Sequence, residues 1–375
     1  MMYFIICIAV VYFLLISSLI IGFDKVEITK NKKISPKNSF SIVIPFRNEA
    51  KNLPVLLNSI SNLQYPKNFF EILLINDDSS DDFKTIINEF KILNKTVNIQ
   101  LIENERKTHS PKKDAIVTAV KHSKFEWLVT TDADCEVPQN WLLLFNQFIE
   151  EKKPFFISAP VKFKTENTFL FHFQNLNFIS LIGSTIGGFG LKKPFMCNGA
   201  NLCYKKDIFI CLNAFEGNNN IASGDDVFLL EKMNESYPNK TLYLKSNEAT
   251  VVTKTENSWK HFLHQQLRWT SKSTAYSNIF SKFTGIVVLL LNASIVLTAI
   301  LSLSQSNNWK LFLMLLLQKM IVDFVLIYKT SKFITAKKTL NYFFLISLLY
   351  PFFVVFIASL SLFKRFEWKG RTFKK

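Results

Sequence analysis

The chain has 375 residues and a formal charge of +16, long enough for a substantial buried core. The basic excess would suit nucleic acid or an anionic membrane surface. Because the lysines are spread along the chain without the aromatic interleaving of a nucleic-acid platform, we expect no nucleic-acid partner. The five cysteines form no CxxC pair and no metal-finger spacing. This favours reduced thiols and a reducing, cytoplasmic location.

The chain begins with an uncharged apolar segment, residues 1–22. The segment is long enough to cross a hydrocarbon layer of about 30 Å. It lacks the basic start and the cleavage site of a secretory signal peptide. The sequence therefore predicts an N-terminal transmembrane anchor at 1–22, followed by a basic linker at 23–39.

Between residues 40 and 255 the pattern alternates between short apolar runs and helical periodicity, which predicts a mostly parallel sheet with helices on both faces. The fold class expected is therefore α/β, with one Rossmann-like domain at 40–255. The predicted strands are 40–46, 71–75, 97–102 and 127–131, and the predicted helices start at Leu53 and cover 111–122.

Long apolar runs return only after residue 282, at about 283–303, 309–328 and 341–363. They predict C-terminal membrane helices over 283–363, with buried core helices as the alternative. The segment 256–282 before them is expected to be an interfacial helix. Pro351 predicts a break in the last run, which would make that run interfacial or re-entrant and leave the basic tail, 364–375, cytoplasmic.

Polar clusters follow three of the predicted strands, at 47–49, 77–78 and 132–134. In such sheets ligands bind beyond the carboxyl ends of the strands. No GxGxxG follows the first strand and no P-loop is present, so the backbone alone does not hold phosphates. Asp132 and Asp134 are two residues apart at a strand end, which puts both carboxylates on one side, where they can hold a divalent cation, Mg²⁺ or Mn²⁺, on a diphosphate.

In this order and spacing, these segments resemble the family 2 glycosyltransferases, inverting enzymes of the GT-A fold, and especially the membrane-embedded branch that contains polysaccharide synthases. The resemblance covers roughly residues 40–270. The matching segments are Ser41–Glu49, Ile75–Ser80, Lys112–Ala115, Thr131–Cys135, Asn198–Asn201, Gly224–Val227 and Gln265–Trp269.

For the nucleotide donor, the resemblance implies a pocket lined by Pro45, Arg47 and Glu49. Asp77 or Asp78 would accept hydrogen bonds from the base or the ribose. Capping of the next helix is the alternative role for these two aspartates.

For the diphosphate, the resemblance implies Asp132 and Asp134 as the metal motif, with Asp134 the direct ligand and Asp132 turned toward ribose or metal. Lys112 occupies a family lysine position, although Pro111 replaces the usual glycine before it. Its ammonium would pair with the donor, and a solvated surface lysine is the alternative.

For catalysis, the resemblance implies that Asp225 and Asp226 form the element carrying the general base, with Asp226 at the position of the catalytic carboxylate. Inversion needs one base to remove the acceptor hydroxyl proton. A second acid is unnecessary, because a nucleoside diphosphate leaves readily once a metal offsets its charge.

For the acceptor, the resemblance implies Gln265, Gln266 and Trp269 of the QxxRW element, with Trp269 stacking on a sugar ring. Arg268 would bind the diphosphate of the donor. On a helix Gln265, Arg268 and Trp269 share one face.

The sequence thus predicts transfer of a sugar from a nucleotide-sugar, a UDP-sugar, to a lipid-linked or growing polysaccharide acceptor at the cytoplasmic face of the inner membrane. Single addition to a lipid remains open beside processive synthesis. Two alternatives from other classes are a nucleotidyltransferase and a non-catalytic membrane scaffold.

Overall fold

The computed structural model describes residues 2–32, 34–219, 221, 223–272, 275–304, 308–363, 366–368 and 371–373. The chain divides into two compact units, each assembled from separate stretches of sequence. The sheet unit comprises Glu27–Lys164 and Met196–Lys254. The helical unit comprises Met1–Val26, Thr165–Phe195 and Thr255–Lys375.

Strands and helices alternate in the first half of the chain, and long helices dominate its C-terminal part. The strands are β1 (Phe40–Phe46), β2 (Phe70–Asn76), β3 (Asn98–Glu103), β4 (Trp127–Thr130), β5 (Phe156–Ser158), β6 (Val161–Phe163), β7 (Leu202–Lys205), β8 (Thr241–Tyr243), β9 (Val251–Thr253), β10 (Phe366–Trp368) and β11 (Arg371–Phe373). The helices are α1 (Met2–Lys25), α2 (Leu53–Ser61), α3 (Phe83–Leu93), α4 (Pro111–His122), α5 (Trp141–Lys152), α6 (Phe169–Gly190), α7 (Lys206–Cys211), α8 (Asp225–Ser236), α9 (Trp259–Lys272), α10 (Ile279–Ser304), α11 (Asn308–Phe333) and α12 (Phe343–Phe363).

The core of the sheet unit is a seven-stranded sheet in the order β3-β2-β1-β4-β7-β5-β8. Strands β3, β2, β1 and β4 are parallel to one another, and β7 is antiparallel to both of its neighbours. The middle strands are continuous apolar runs because both faces of a parallel sheet are covered. The predicted α/β fold with a mostly parallel sheet is confirmed, and the antiparallel β7 is an addition that the sequence pattern did not indicate.

Parallel pairing places the carboxyl ends of β1, β2, β3 and β4 at the same edge of the sheet. In the register of β1 with β2, Phe46 is opposite Asn76, so the residues after these two strands are neighbours. Helix α4 begins at Pro111, whose missing N–H costs nothing at the first helical position. Helix α8 begins after Gly224, which has a φ of 85°, a conformation that glycine adopts without strain.

Among its described residues, the helical unit contains four helices long and apolar enough to cross a membrane: Met2–Lys25, Ile279–Leu303, Asn308–Phe333 and Lys337–Phe363. They coincide with the four apolar runs of the sequence. Helix α12 continues through Pro351, so the break predicted at this residue is wrong. Proline removes one backbone hydrogen bond, and membrane helices tolerate that loss when neighbouring helices compensate for it.

Helix α6 lies between β6 and β7 in sequence but belongs to the helical unit. The division therefore differs from the single continuous domain expected at 40–255. Glycines let α6 pack backbone to backbone: a Cβ on Gly187 would overlap the carbonyl of Leu19, and one on Gly190 would overlap that of Gly22. These contacts join α6 to α1 without room for any side chain between them.

A buried polar group, which we call the Lys319 cluster, also joins helices of this unit. It consists of Tyr12, Lys319, Asp323 and Tyr350. Tyr12 Oη donates to Asp323 Oδ1 at 2.6 Å, and Lys319 pairs with the same carboxylate. The Lys319 ammonium also lies 5.8 Å from the ring centroid of Tyr12 and 5.4 Å from that of Tyr350. The cluster therefore connects α1, α11 and α12.

At the end of the helical unit, β10 and β11 form an antiparallel pair. Strand β10 contacts helix α9. Within the tail segment Trp368–Arg371, whose sequence resembles a motif of membrane members of the family, Lys369 and Gly370 lie outside the described residues.

Candidate active site

Three carboxylates and one lysine meet at the carboxyl edge of the sheet. We call Lys112, Asp132, Asp225 and Asp226 the carboxylate cluster. Asp132 follows β4, Lys112 lies in the first turn of α4, and the other two begin α8. Lys112 Nζ is 2.7 Å from Asp132 Oδ1 and 3.4 Å from Asp225 Oδ2. The structure thus brings together residues that lie far apart in sequence and were predicted to serve donor binding, metal binding and catalysis.

Lys112 is a charged, largely enclosed group, with 22% of its side chain exposed. Burial lowers the pKa of its ammonium, but the attraction of Asp132, Asp225 and Asp226 outweighs burial and raises that pKa above its ordinary value. The alternative of a solvated surface lysine is therefore wrong.

Gly199, from the Asn198–Asn201 motif, contacts Asp226, the predicted base. Its N–H donates to Asp226 Oδ2 at 3.1 Å, while the N–H of Val227 donates to Asp226 Oδ1 at 2.9 Å. A Cβ at Gly199 would stand 3.3 Å from Asp225 Oδ2, so a larger residue would crowd the cluster. The sequence motif marked this glycine, but its contact with Asp226 could not be inferred from sequence spacing.

Asp134 follows Asp132 on the same turn and is partly exposed, whereas Ala133 between them is buried. The neighbouring Cys135 is buried, and burial raises the pKa of its thiol, as do the charges of Asp134 and Asp132. Within the described ranges, no group of three or more His, Cys, Asp or Glu side chains is arranged to hold a metal ion.

A second charged group, which we call the arginine pair, follows β1, β2 and β3. Arg47 Nη1 donates to the carbonyl of Asp77 at 2.8 Å and to Asp78 Oδ2 at 3.0 Å. Arg106 Nε and Asn104 Nδ2 donate to Asp77 Oδ1 at 2.7 and 2.8 Å. Asp77 is consequently buried, while the Asp78 side chain is 74% exposed.

The structure also tests the helix-capping alternative for Asp77 and Asp78. Helix α3 begins at Phe83, beyond both of them, so the capping alternative is not supported. Sequence reasoning missed Asn104 and Arg106. A polar run immediately after the third predicted strand could have indicated both residues, because it lies at the same sheet edge as the clusters that were recognised.

Two other residues expected in the nucleoside pocket have local structural roles. Glu49 accepts a hydrogen bond from Asn52 Nδ2 at 2.5 Å, and its carbonyl accepts from the N–H of Leu53 at the start of α2. Pro45 is the partly exposed penultimate residue of β1.

The QxxRW residues Gln265, Gln266, Arg268 and Trp269 all lie on α9, in the helical unit. Gln265 Nε2 donates to Glu256 Oε1 at 3.1 Å. Gln266 Oε1 accepts from Asn177 Nδ2 at 3.3 Å, and Asn177 Oδ1 in turn accepts from Tyr350 Oη at 2.8 Å. The Trp269 ring lies 6.5 Å from that of Phe178.

The sheet topology, with an acidic cluster at the carboxyl ends of its strands, is that of an α/β domain of the GT-A class. Residues 41–212 match the family described as Glycosyl transferase family 2. This match agrees with the resemblance to the family 2 glycosyltransferases that the sequence motifs indicated.

Three characterised relatives are similar to parts of this chain. Glycosyltransferase AglE of Haloferax volcanii is 32% identical over 102 residues, 27% of this chain and 32% of the relative. Poly-beta-1,6-N-acetyl-D-glucosamine synthase of Staphylococcus epidermidis is 26% identical over 144 residues, 38% of this chain and 33% of the relative. Poly(ribitol-phosphate) beta-N-acetylglucosaminyltransferase TarS of Staphylococcus aureus is 30% identical over 112 residues, 30% of this chain and 19% of the relative. The matches thus span a third or less of each relative.

Among solved structures, the mannosyltransferase PcManGT of Pyrobaculum calidifontis, in complex with GDP-Man and Mn²⁺, is similar with a TM-score of 0.53 and 14% identity. The similarity covers 87% of this chain and 98% of that one. It confirms the predicted GT-A fold.

Proposed function

We propose that this protein transfers a sugar from a nucleotide-sugar, a UDP-sugar, to a lipid-linked or growing polysaccharide acceptor, with inversion at the anomeric carbon. The observation that carries the proposal is the carboxylate cluster, in which Asp226 lies beside the predicted leaving-group site at the carboxyl edge of a parallel sheet. The matches to glycosyltransferases and polymer synthases support the same chemistry.

Asp226 is the proposed general base. The N–H groups of Gly199 and Val227 fix its two oxygens, so the carboxylate is held before the acceptor arrives. It removes the proton of an acceptor hydroxyl while that oxygen bonds to the anomeric carbon and the bond from this carbon to the diphosphate oxygen breaks. The proton ends on Asp226, and the electron pair of the broken bond leaves with the nucleoside diphosphate.

The residues present fit a divalent cation. Asp134 is a partly exposed carboxylate, and Asp132 beside it already pairs with Lys112. Mg²⁺ is usually bound in such sites by one or two carboxylates together with substrate phosphates, so a third protein ligand is not needed. Asp134, assisted by Asp132, would hold the ion, which offsets charge on the leaving diphosphate when bound.

Asp77 and Asp78 have different proposed roles in donor binding. Asp77 holds Arg106 and Asn104 in place, and the exposed carboxylate of Asp78 is the better acceptor for the base or the ribose. Lys112 pairs with Asp132 and Asp225 and adds positive charge where the diphosphate is expected. These roles predict that nucleotide binding depends on residues after β1, β2 and β4.

For the acceptor, we propose Gln265, Gln266 and Trp269 as contacts, with Arg268 directed to the diphosphate. The partial matches to a poly-beta-1,6-N-acetyl-D-glucosamine synthase and to a poly(ribitol-phosphate) beta-N-acetylglucosaminyltransferase support a polymeric acceptor, and a lipid-linked saccharide is the other acceptor class that we propose. Single addition stays open beside processive synthesis, and the length of the product, measured by mass spectrometry, decides between them.

We place the sheet unit at the cytoplasmic face of the inner membrane. Lysines cluster after α1 and in the segment after α11, as expected for cytoplasmic flanks of membrane helices. The contact of β10 with α9 supports a tail on the same side as α9.

The decisive experiment screens nucleotide-sugars with membranes that contain the protein, in Mg²⁺ or Mn²⁺ and in excess chelator. We expect metal-dependent release of a nucleoside diphosphate from one donor class and no release from matched membranes with Asp134→Ala. Release of pyrophosphate would instead identify a nucleotidyltransferase. Absence of nucleotide binding with any divalent cation would indicate the non-catalytic scaffold.

A further inference from the structure

Two lysines, Lys112 and Lys113, precede Asp114 in the first turn of helix α4, although a lysine is unfavourable at this end of a helix. The first turn of a helix exposes unpaired N–H groups and carries the positive end of the helix dipole, so each lysine there costs about 0.3–1 kcal/mol. Departures from such rules concentrate at functional sites. Lys112 belongs to the carboxylate cluster, and Lys113 requires a separate explanation.

Lys113 is buried, with 2% of its surface exposed. Its ammonium donates to the carbonyl of Asn218 at 2.7 Å. It also lies 4.4 Å from the ring centroid of Phe228 and 5.9 Å from that of Phe215. A buried ammonium is costly unless polar or aromatic groups compensate for lost water, and a carbonyl with two ring faces does so.

These three partners lie on both sides of the base in sequence. Phe215 and Asn218 precede Asp226, and Phe228 follows it on the first turn of α8. In the segment before α8, Asn213, Gly217 and Gly224 have positive φ values. Its described residues 213–219, 221, 223 and 224 belong to no strand, so their position depends on local turns and on contacts such as those of Lys113.

We propose that Lys113 is a positioning residue for catalysis: by holding Asn218 and Phe228 it fixes the segment that carries Asp226, and thereby the direction of that carboxylate. The inference rests on the proposed role of Asp226 as base. The two lysines of α4 then have distinct tasks, since Lys112 contacts the carboxylates and Lys113 contacts the segment that bears two of them.

The test compares Lys113→Met, which keeps the length of the side chain and can stay buried, with Lys113→Arg, which keeps the charge. Lys121→Met is the matched control, because Lys121 lies on the same helix with 43% of its side chain exposed. Full-length protein in membranes is assayed for kcat, for donor KM and for amide hydrogen exchange.

We expect Lys113→Met to lower kcat about 10- to 100-fold, the size of effect that a misplaced group produces. Donor KM should stay within about twofold, because the residues after β1, β2 and β4 are unchanged. Amides of 213–219 and 226–228 should exchange faster, while those of β1–β4 keep their rates. Lys113→Arg should recover part of kcat, and Lys121→Met should match the unmodified protein.

Two outcomes would overturn the proposal. One is unchanged exchange at 213–228 in Lys113→Met. The other is faster exchange throughout the sheet unit with kcat and KM equally affected, which would mean general destabilisation. If no nucleotide-sugar supports turnover by the unmodified protein, the proposed function fails, and the exchange comparison still decides whether Lys113 holds the segment.

Discussion

Two lysines that pair with acidic groups, Lys112 in the sheet unit and Lys319 in the helical unit, differ in exposure and in the number of carboxylates around them. In the carboxylate cluster, Lys112 faces three carboxylates and keeps 22% of its side chain exposed. In the Lys319 cluster, Lys319 faces one carboxylate, that of Asp323, and the two side chains are 6% and 16% exposed. The first group therefore has three carboxylates around one ammonium and lies near solvent, whereas the second has one of each and is closed.

This difference indicates what each group does. Several carboxylates at an accessible strand end attract additional positive charge, which a divalent cation would provide. A neutral, enclosed pair attracts nothing further and instead fixes the positions of the helices that supply its members. Substitutions in each cluster test this difference, because they separate effects on turnover from effects on stability.

The largest effect is expected for Asp226→Asn, which removes the base and keeps the shape of the side chain. Turnover at saturating donor should fall about 10²- to 10⁴-fold, the usual effect of losing a general base. Nucleotide affinity should be retained, because Asp226 does not contact the donor in our proposal. Release of nucleoside diphosphate and nucleotide binding are measured side by side. Undiminished turnover would remove Asp226 from its proposed role.

Lys319→Met should destabilise the helical unit by about 3–5 kcal/mol, since it leaves the buried carboxylate of Asp323 without its counter-ion. Thermal unfolding in detergent or lipid measures the effect. The control combines Lys319→Met with Asp323→Leu, which removes both charges and should recover most of the stability. A double variant as unstable as the single one would contradict the view that Lys319 and Asp323 act only as a structural ion pair.

Lys112→Met should cost about 1–3 kcal/mol, less than Lys319→Met because the site is more exposed. The pKa of Lys112 is raised by folding, so its stabilising effect is fully present below the ordinary lysine pKa of about 10.4 and is lost only as the pH rises through the higher folded value. The loss should therefore be equal at about pH 6 and pH 9. Adding Asp225→Leu should restore stability but not activity, because Asp225 belongs to the proposed active site. The charges of the Lys319 cluster, in contrast, serve stability alone. A loss that disappears by about pH 9 would show that Lys112 is not held in its charged form.

The smallest effect is expected for Tyr350→Phe, which removes one hydrogen bond to Asn177 and should cost about 1 kcal/mol. Because Asn177 also holds Gln266, we expect acceptor KM to rise severalfold while donor hydrolysis without acceptor stays the same. Equal changes in donor hydrolysis and transfer would separate Tyr350 from acceptor binding. Tyr328→Phe serves as the control, because this tyrosine is exposed on α11.

Much of the fold was predictable from local signals. The apolar runs ending at Phe46 and Asn76 gave two central strands, and Pro111 marked the start of α4. The four long apolar segments were recognised by length and absence of charge. These features depend on residues close together in sequence, which periodicity reports directly.

The rest depends on contacts between distant residues. Asp77 and Arg106 are joined only because β2 and β3 are parallel neighbours, and the sequence of either strand end does not name its partner. Helix α6 has the apolar character of a core helix, and its glycines reveal a packing role only when α1 is placed against them. The clustering of Lys112 with Asp225 likewise needed the fold, because α4 and α8 are far apart in the chain.

The insertion of α6 between β6 and β7 affects how this protein can be synthesised and divided. During translation, six strands precede α6 and three strands of the sheet unit follow it, so neither unit is complete when α6 leaves the ribosome. No single cut separates the two units. A recombinant fragment limited to 40–254 would retain α6 but lose α1, leaving Gly187 and Gly190 uncovered, and we expect such a fragment to aggregate unless α6 is replaced by a short loop.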